Sequence, residues 1–105
     1  FKITGWRDGV EFNNFKIKQN KNNKIAIQIQ YGTHYSFENL IIESKGYGIY
    51  QSGGSFQSST FKNITINSKK VGIRFDNPQT ITLKDMSVIS SKSMAVDFGA
   101  PQGEL

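Results

Sequence analysis

FKNITINS (residues 61–68) decides the fold, because it is the third of four versions of one phrase. The others read FNNFKIKQ (12–19), FENLIIES (37–44) and LKDMSVIS (83–90). Their shared template is a large apolar residue, any residue, Asn or Asp, then apolar, any, apolar. Successive starts lie 25, 24 and 22 residues apart. A period in the range of about 20–50 residues marks a stacked-repeat architecture. In such a stack, residues at one template position become spatial neighbours, and the surface is organised in rows.

A second phrase lies between the first ones. It reads DGVEF (8–12), IAIQI (25–29), YGIYQ (47–51), VGIRF (71–75) and MAVDF (94–98). Each copy sets a small residue (Gly9, Ala26, Gly48, Gly72, Ala95) before an aliphatic one (Val10, Ile27, Ile49, Ile73, Val96). The small residue suits a corner where backbones approach closely or φ turns positive. Both phrases alternate at period two and are rich in Val, Ile, Phe and Thr, which argues for half-buried strands. No stretch carries a sustained helical period. Two or three short strands per repeat predict an all-β, right-handed parallel β-helix of about 4–5 coils, 22–25 residues each. A leucine-rich repeat is excluded by composition, since Leu40, Leu83 and Leu105 are the only leucines.

The rows follow from the alternation. Phe12, Phe37, Phe61 and Leu83 form one inward stack, Phe15, Leu40, Ile64 and Met86 a second, and Ile17, Ile42, Ile66 and Val88 a third. In the second phrase Val10, Ile27, Ile49, Ile73 and Val96 form the main inward row. Phe12, Ile29, Gln51, Phe75 and Phe98 form the next one, with Gln51 as its polar exception. Asn14, Asn39, Asn63 and Asp85 share a position just before a strand, which suits an amide ladder bonding side chain to backbone from coil to coil. A carboxylate has no proton to donate to the next rung, so Asp85 marks either the end of the ladder or an interruption in it.

At 105 residues the chain reads as a single β-helix domain, 1–105. So short a stack leaves strand edges open at both ends, so the expectation is a fragment of a longer β-helix or coverage by partner subunits, a homotrimer among them. The absence of cysteine excludes disulfides and thiolate metal sites. No apolar run approaches the length of a membrane span. The net charge of +5 permits a polyanionic partner without demanding one.

The small-aliphatic phrase alternating with Phe-x-Asn-Ile-x-Ile resembles the pectate-lyase-like right-handed parallel β-helix superfamily, from Gly9 to Phe98. That resemblance implies polysaccharide lyases, polygalacturonase-type hydrolases, esterases, adhesins or phage tail appendages, in which sugar chains lie along an outward face. Gly46-Tyr47-Gly48 and Gly72-Ile73-Arg74 are faintly similar to polygalacturonase elements. However, Tyr47 stands where those carry histidine, Phe75-Asp76 replaces the lysine, and the chain has no adjacent aspartate pair.

Three sets of outward residues carry candidate chemistry. Glu11, Gln28, Tyr50, Arg74 and Asp97 form an outward row of the second phrase, with Gln30 and Asp76 in the next one. Asp76 and Asp97 suit the paired carboxylates of a glycosidase, or, with Ca²⁺ and Arg74 as base, the lyase variant; a surface ion pair is the plain alternative. Tyr31, Tyr35, Tyr50 and Phe56, beside Arg74, would make an aromatic shelf for sugar rings. Lys21, Lys24, Lys45, Lys69, Lys70 and Lys92 fall at one corner of successive coils and predict a basic ridge suited to an acidic glycan, or simply a solubilising edge. His34 is the lone histidine, and no metal ligation is expected of it.

The reading is an extracellular or virion-surface β-helix module presenting a rigid face to polysaccharide, in a phage tail appendage or secreted surface protein. No cofactor, membrane partner or nucleic acid is expected. The alternatives are a segment of a polysaccharide lyase or glycoside hydrolase, and a purely structural spacer. This segment alone leans toward binding rather than catalysis.

Overall fold

Apolar residues at every second position commit each phrase to a strand, since one side of a pleated strand is then apolar and must be covered. The structure is a computed structural model that describes residues 1–98. Nine strands follow in order: β1 (Lys2–Asp8), β2 (Glu11–Gln19), β3 (Ile25–Thr33), β4 (Ser36–Ser44), β5 (Tyr47–Gln51), β6 (Phe56–Ser68), β7 (Ile73–Phe75), β8 (Pro78–Ser90) and β9 (Val96–Phe98). Each pairing between them is parallel. Among the described residues there is no helix, and the chain winds a β-solenoid of about four turns.

One coil shows the path. Residues 25–29 form a first side, 31–33 a second, 35–38 a third and 40–44 a fourth, after which Lys45-Gly46 returns the chain to Tyr47 beneath Ile25. The rows of the first phrase hold in register: Phe12, Phe37, Phe61 and Leu83 pair in succession, as do Phe15, Leu40, Ile64, Met86 and Ile17, Ile42, Ile66, Val88. The rings of Phe12 and Phe37 stack at 5.1 Å between centroids and those of Phe37 and Phe61 at 4.8 Å. Each such pair adds about 0.5–1.5 kcal/mol beyond burial.

The second phrase holds except in the first coil. Ile27, Ile49, Ile73 and Val96 align, as do Ile29, Gln51, Phe75 and Phe98. The DGVEF segment does not join them. Their first-coil partners are Lys2 and Ile3, opposite Gln28 and Ile29, while Glu11 pairs with Ser36 and Phe12 with Phe37. The reason lies at Gly9, whose φ of 78° makes it a corner; Val10, Glu11 and Phe12 therefore begin the third side of the coil.

Apart from Gly9, the small-residue column answers close packing, not positive φ. A Cβ on Gly48 would collide with the Gly72 carbonyl oxygen, and one on Gly72 would sit 2.6 Å from that of Ala95. Positive φ gathers instead at two corners. Asn14, Asn39, Asn63 and Asp85 stand at 61°, 58°, 52° and 54°. Gly9, His34, Ser58 and Thr80, between the second and third sides, stand at 78°, 56°, 51° and 54°.

The amide ladder forms, but its rungs join side chain to side chain instead of side chain to backbone. Asn39 Nδ2 donates to Asn14 Oδ1 at 2.9 Å, and Asn63 Nδ2 to Asn39 Oδ1 at 2.6 Å. Asp85 keeps the backbone conformation but adds no rung.

Candidate functional site

The first side of the coil carries its polar residues outward because Ile27, Ile29, Ile49, Ile73 and Phe75 take the inner positions. The outward row reads Lys2, Gln28, Tyr50, Arg74 and Asp97, each opposite the next. Neighbouring strands lie about 4.8 Å apart, so the row spans roughly 20 Å.

Arg74 organises this face. Its Nε donates to Asp76 Oδ1 at 2.9 Å, its Nη1 lies 3.7 Å from Asp97 Oδ2, and its guanidinium lies 5.3 Å from the centroid of the Tyr50 ring. Tyr47 meets Tyr50 edge-on at 5.7 Å. The Asp76 hydrogen bond is the main cause raising the Arg74 pKa above its ordinary value; the charges of Tyr50, Asp76 and Asp97 add to it and burial opposes it. The three predicted working groups, Arg74, Asp76 and Asp97, are thus brought together, but both carboxylates are engaged by one guanidinium. Such an arrangement fixes side chains and presents planar hydrogen-bonding edges. Among the described residues, no third acidic or histidine side chain joins them as a metal-ligand group.

The aromatic shelf is only partly as expected. Tyr50 and Tyr31 are half-buried on the outside. Tyr35 and Phe56 are 1% and 0% exposed and face the core. Alternation explains this: Tyr35 starts the third side immediately after the left-handed His34, which turns it inward, and Phe56 pairs with the inward Gly32. The Tyr35 ring packs on Phe37 and Phe56, and its hydroxyl donates to the Tyr31 carbonyl at 3.2 Å. Burial raises its pKa, with the charge of Arg7 pulling the other way.

Trp6 takes the place of the two lost rings. It is 53% exposed and lies opposite Tyr31 across the β1–β3 pairing. Sequence periodicity gave no access to it, because an irregularity between Ile3 and Trp6 breaks the register there. A lone exposed tryptophan in a small β protein was the available signal. The Gly53-Gly54 loop lies against the Tyr31 ring, the nearest approach being 3.5 Å from a Cβ position on Gly54. The fully buried Gln51 pins this loop: its amide nitrogen donates to the carbonyls of Gln30 at 2.7 Å and Gly54 at 3.0 Å, and its Oε1 accepts from Asn77 N.

At the return corner, Lys45, Lys69, Lys70 and Lys92 line one cleft of about 270 Å³ with Asn22 and Asn23. Lys21 and Lys24 stand on the same first-coil loop outside that lining. His34 Nδ1 lies 3.1 Å from Asp8 Oδ1, a pairing that only the coil brings about.

A family model described as rhamnogalacturonase A/epimerase, pectate lyase-like, matches residues 4–97. No curated protein and no solved structure matches the chain.

Proposed function

The chain belongs to the pectate lyase-like rhamnogalacturonase A/epimerase family, and from that premise we propose that it binds polysaccharide along the outward faces of its first and second sides. The observation that carries this reading is the exposed Trp6 opposite Tyr31, where the second side begins, beyond a first-side polar strip in which Arg74 bonds to Asp76, pairs with Asp97 and lies over the Tyr50 ring. Aromatic faces stack on apolar faces of sugar rings, and the neighbouring amides, hydroxyls and guanidinium satisfy ring hydroxyls. Rigid side chains lose little entropy on binding. Polymers of this kind are met outside the cell or on a virion surface, where a secreted protein or a phage appendage would present such a module.

The reading favours binding over turnover, and what supports it is that Asp76 and Asp97 both contact the same guanidinium. Titration of the protein with a panel of soluble plant and bacterial polysaccharides, followed by calorimetry, tests it. Trp6→Ala and Arg74→Ala should each weaken binding about tenfold or more, as central anchors do. Unchanged affinity in both variants removes the proposal. Release of new chain ends by the unaltered protein, abolished by Asp76→Asn, would establish the enzyme reading instead.

A further inference from the structure

We propose that the return corner is a second site, which grips the repeated carboxylates or sulfates of an acidic polysaccharide. It rests on the reading that the module is polysaccharide-directed, but on a different surface and different residues.

Three observations carry it. First, the cleft is lined by Lys45, Lys69, Lys70 and Lys92 with two asparagines, and by no acidic residue. One carboxylate is close by: Glu43 lines the adjoining cleft with Lys45 and Lys69, and it is paired with Lys16 at 3.4 Å. The other paired acidic side chains bond elsewhere, Glu38 to Lys62, Asp76 and Asp97 to Arg74 and Asp8 to His34. Four lysines on one cleft outnumber that single carboxylate, and a bound polyanion relieves their mutual repulsion.

Second, the corner is held in place. Lys45 N donates to the Gln19 carbonyl at 3.0 Å, Lys69 N to that of Ser44 at 3.1 Å, Lys70 N to that of Gly46 at 3.0 Å and Lys92 N to that of Lys69 at 3.1 Å. The loop carrying Asn22 and Asn23 is tied down by Gln19, whose amide nitrogen reaches the Lys24 carbonyl at 3.2 Å and Ser44 Oγ at 3.1 Å. The backbone therefore sets Lys45 and Lys69 in one column and Lys70 and Lys92 in the adjacent one, each pair one coil apart. A polymer carrying several charges matches such a two-by-two array better than a single small anion does.

Third, the lining contains neither an aromatic ring nor an arginine. Single-stranded nucleic acid is held by base stacking on aromatic side chains, and nothing at this cleft offers it. Asparagine amides beside lysines suit hydroxyls next to anionic groups.

The experiment compares binding of polygalacturonate, heparin, neutral dextran and a single-stranded DNA oligomer to the whole chain. Polygalacturonate presents carboxylates alone, whereas heparin presents sulfates in addition to carboxylates, so tighter binding of heparin at equal charge density reports sulfate recognition. Affinity for at least one of them should fall about 20–50-fold between about 50 and 200 mM salt, as expected for three or four released counterions. The double variant Lys69→Gln/Lys92→Gln should lose about tenfold or more in that affinity. Lys62→Gln/Lys84→Gln, of equal net charge and on other sides of the coil, should lose less than threefold. Equal losses in the two variants, or binding of DNA as tight as that of the acidic glycans, overturns the site. Trp6→Ala and Arg74→Ala serve as the separating controls: if both leave the affinity for every glycan tested unchanged while Lys69→Gln/Lys92→Gln weakens acidic-glycan binding, the aromatic face fails and the corner stands. If Lys69→Gln/Lys92→Gln binds as well as the unaltered chain, the corner fails alone.

Discussion

Each coil turns twice through the left-handed backbone region, and the two corners are occupied very differently. One column holds Asn14, Asn39, Asn63 and Asp85; the other holds Gly9, His34, Ser58 and Thr80. Their φ values are nearly the same. At the first corner the side chain that tolerates this conformation also bonds to the coil before it, at 2.9 and 2.6 Å. At the second, Ser58 and the β-branched Thr80 adopt a conformation that such residues rarely take, and neither side chain makes a hydrogen bond among the described residues. The lesson is that the solenoid imposes the backbone at both corners: the first is adapted to it throughout, whereas the second is adapted at Gly9 and at His34, which pairs with Asp8, but not at Ser58 and Thr80.

This contrast can be broken by mutation. The largest effect should come from Asn39→Ala, which removes two rungs and leaves an alanine in the left-handed region; a loss of about 2 kcal/mol is expected. Ser58→Ala, one coil further along the stack, should cost no more than about 0.5 kcal/mol. Urea unfolding of both decides whether the corners differ at all. Thr80→Gly should go the other way, with release of strain outweighing glycine's entropy by about 0.5–1 kcal/mol and the melting temperature rising by several degrees. Asp85→Asn should add a rung and about 0.5 kcal/mol; no gain would show that the ladder does not extend to the fourth coil.

The smallest effect is one of pH. Tyr35, which follows His34 at the second corner, has its pKa raised by burial. The neutral phenol is favoured in the folded state, so its contribution is complete below about pH 10. It is lost as pH rises through the raised value. Tyr35→Phe should flatten that alkaline limb in urea titrations.

The inner rows were legible because identical positions carry similar apolar residues, and Phe37, Phe61 and Leu83 stack as their spacing demands. The first ladder was legible because asparagine recurs. The second corner was not, since glycine, histidine, serine and threonine share no side-chain property there, only a φ. For the same reason the DGVEF segment was placed on the wrong side of the coil. The outward groups around Arg74 followed from simple alternation, whereas the inward turn of Tyr35 and Phe56 depends on a corner invisible in residue type. Trp6 lies beyond a register irregularity and had no repeat partner to reveal it.

The asparagine column also has a sense of direction. Every amide in it gives its proton toward the first coil, so the column runs from an uncommitted carbonyl at Asn63 to an uncommitted N–H pair at Asn14. Any unit placed beneath Asn14 would have to receive a proton at that position, and any unit above Asn63 would have to supply one. Asparagine can do either, aspartate only the former. The carboxylate of Asp85 therefore marks where stacking by this device stops being self-propagating.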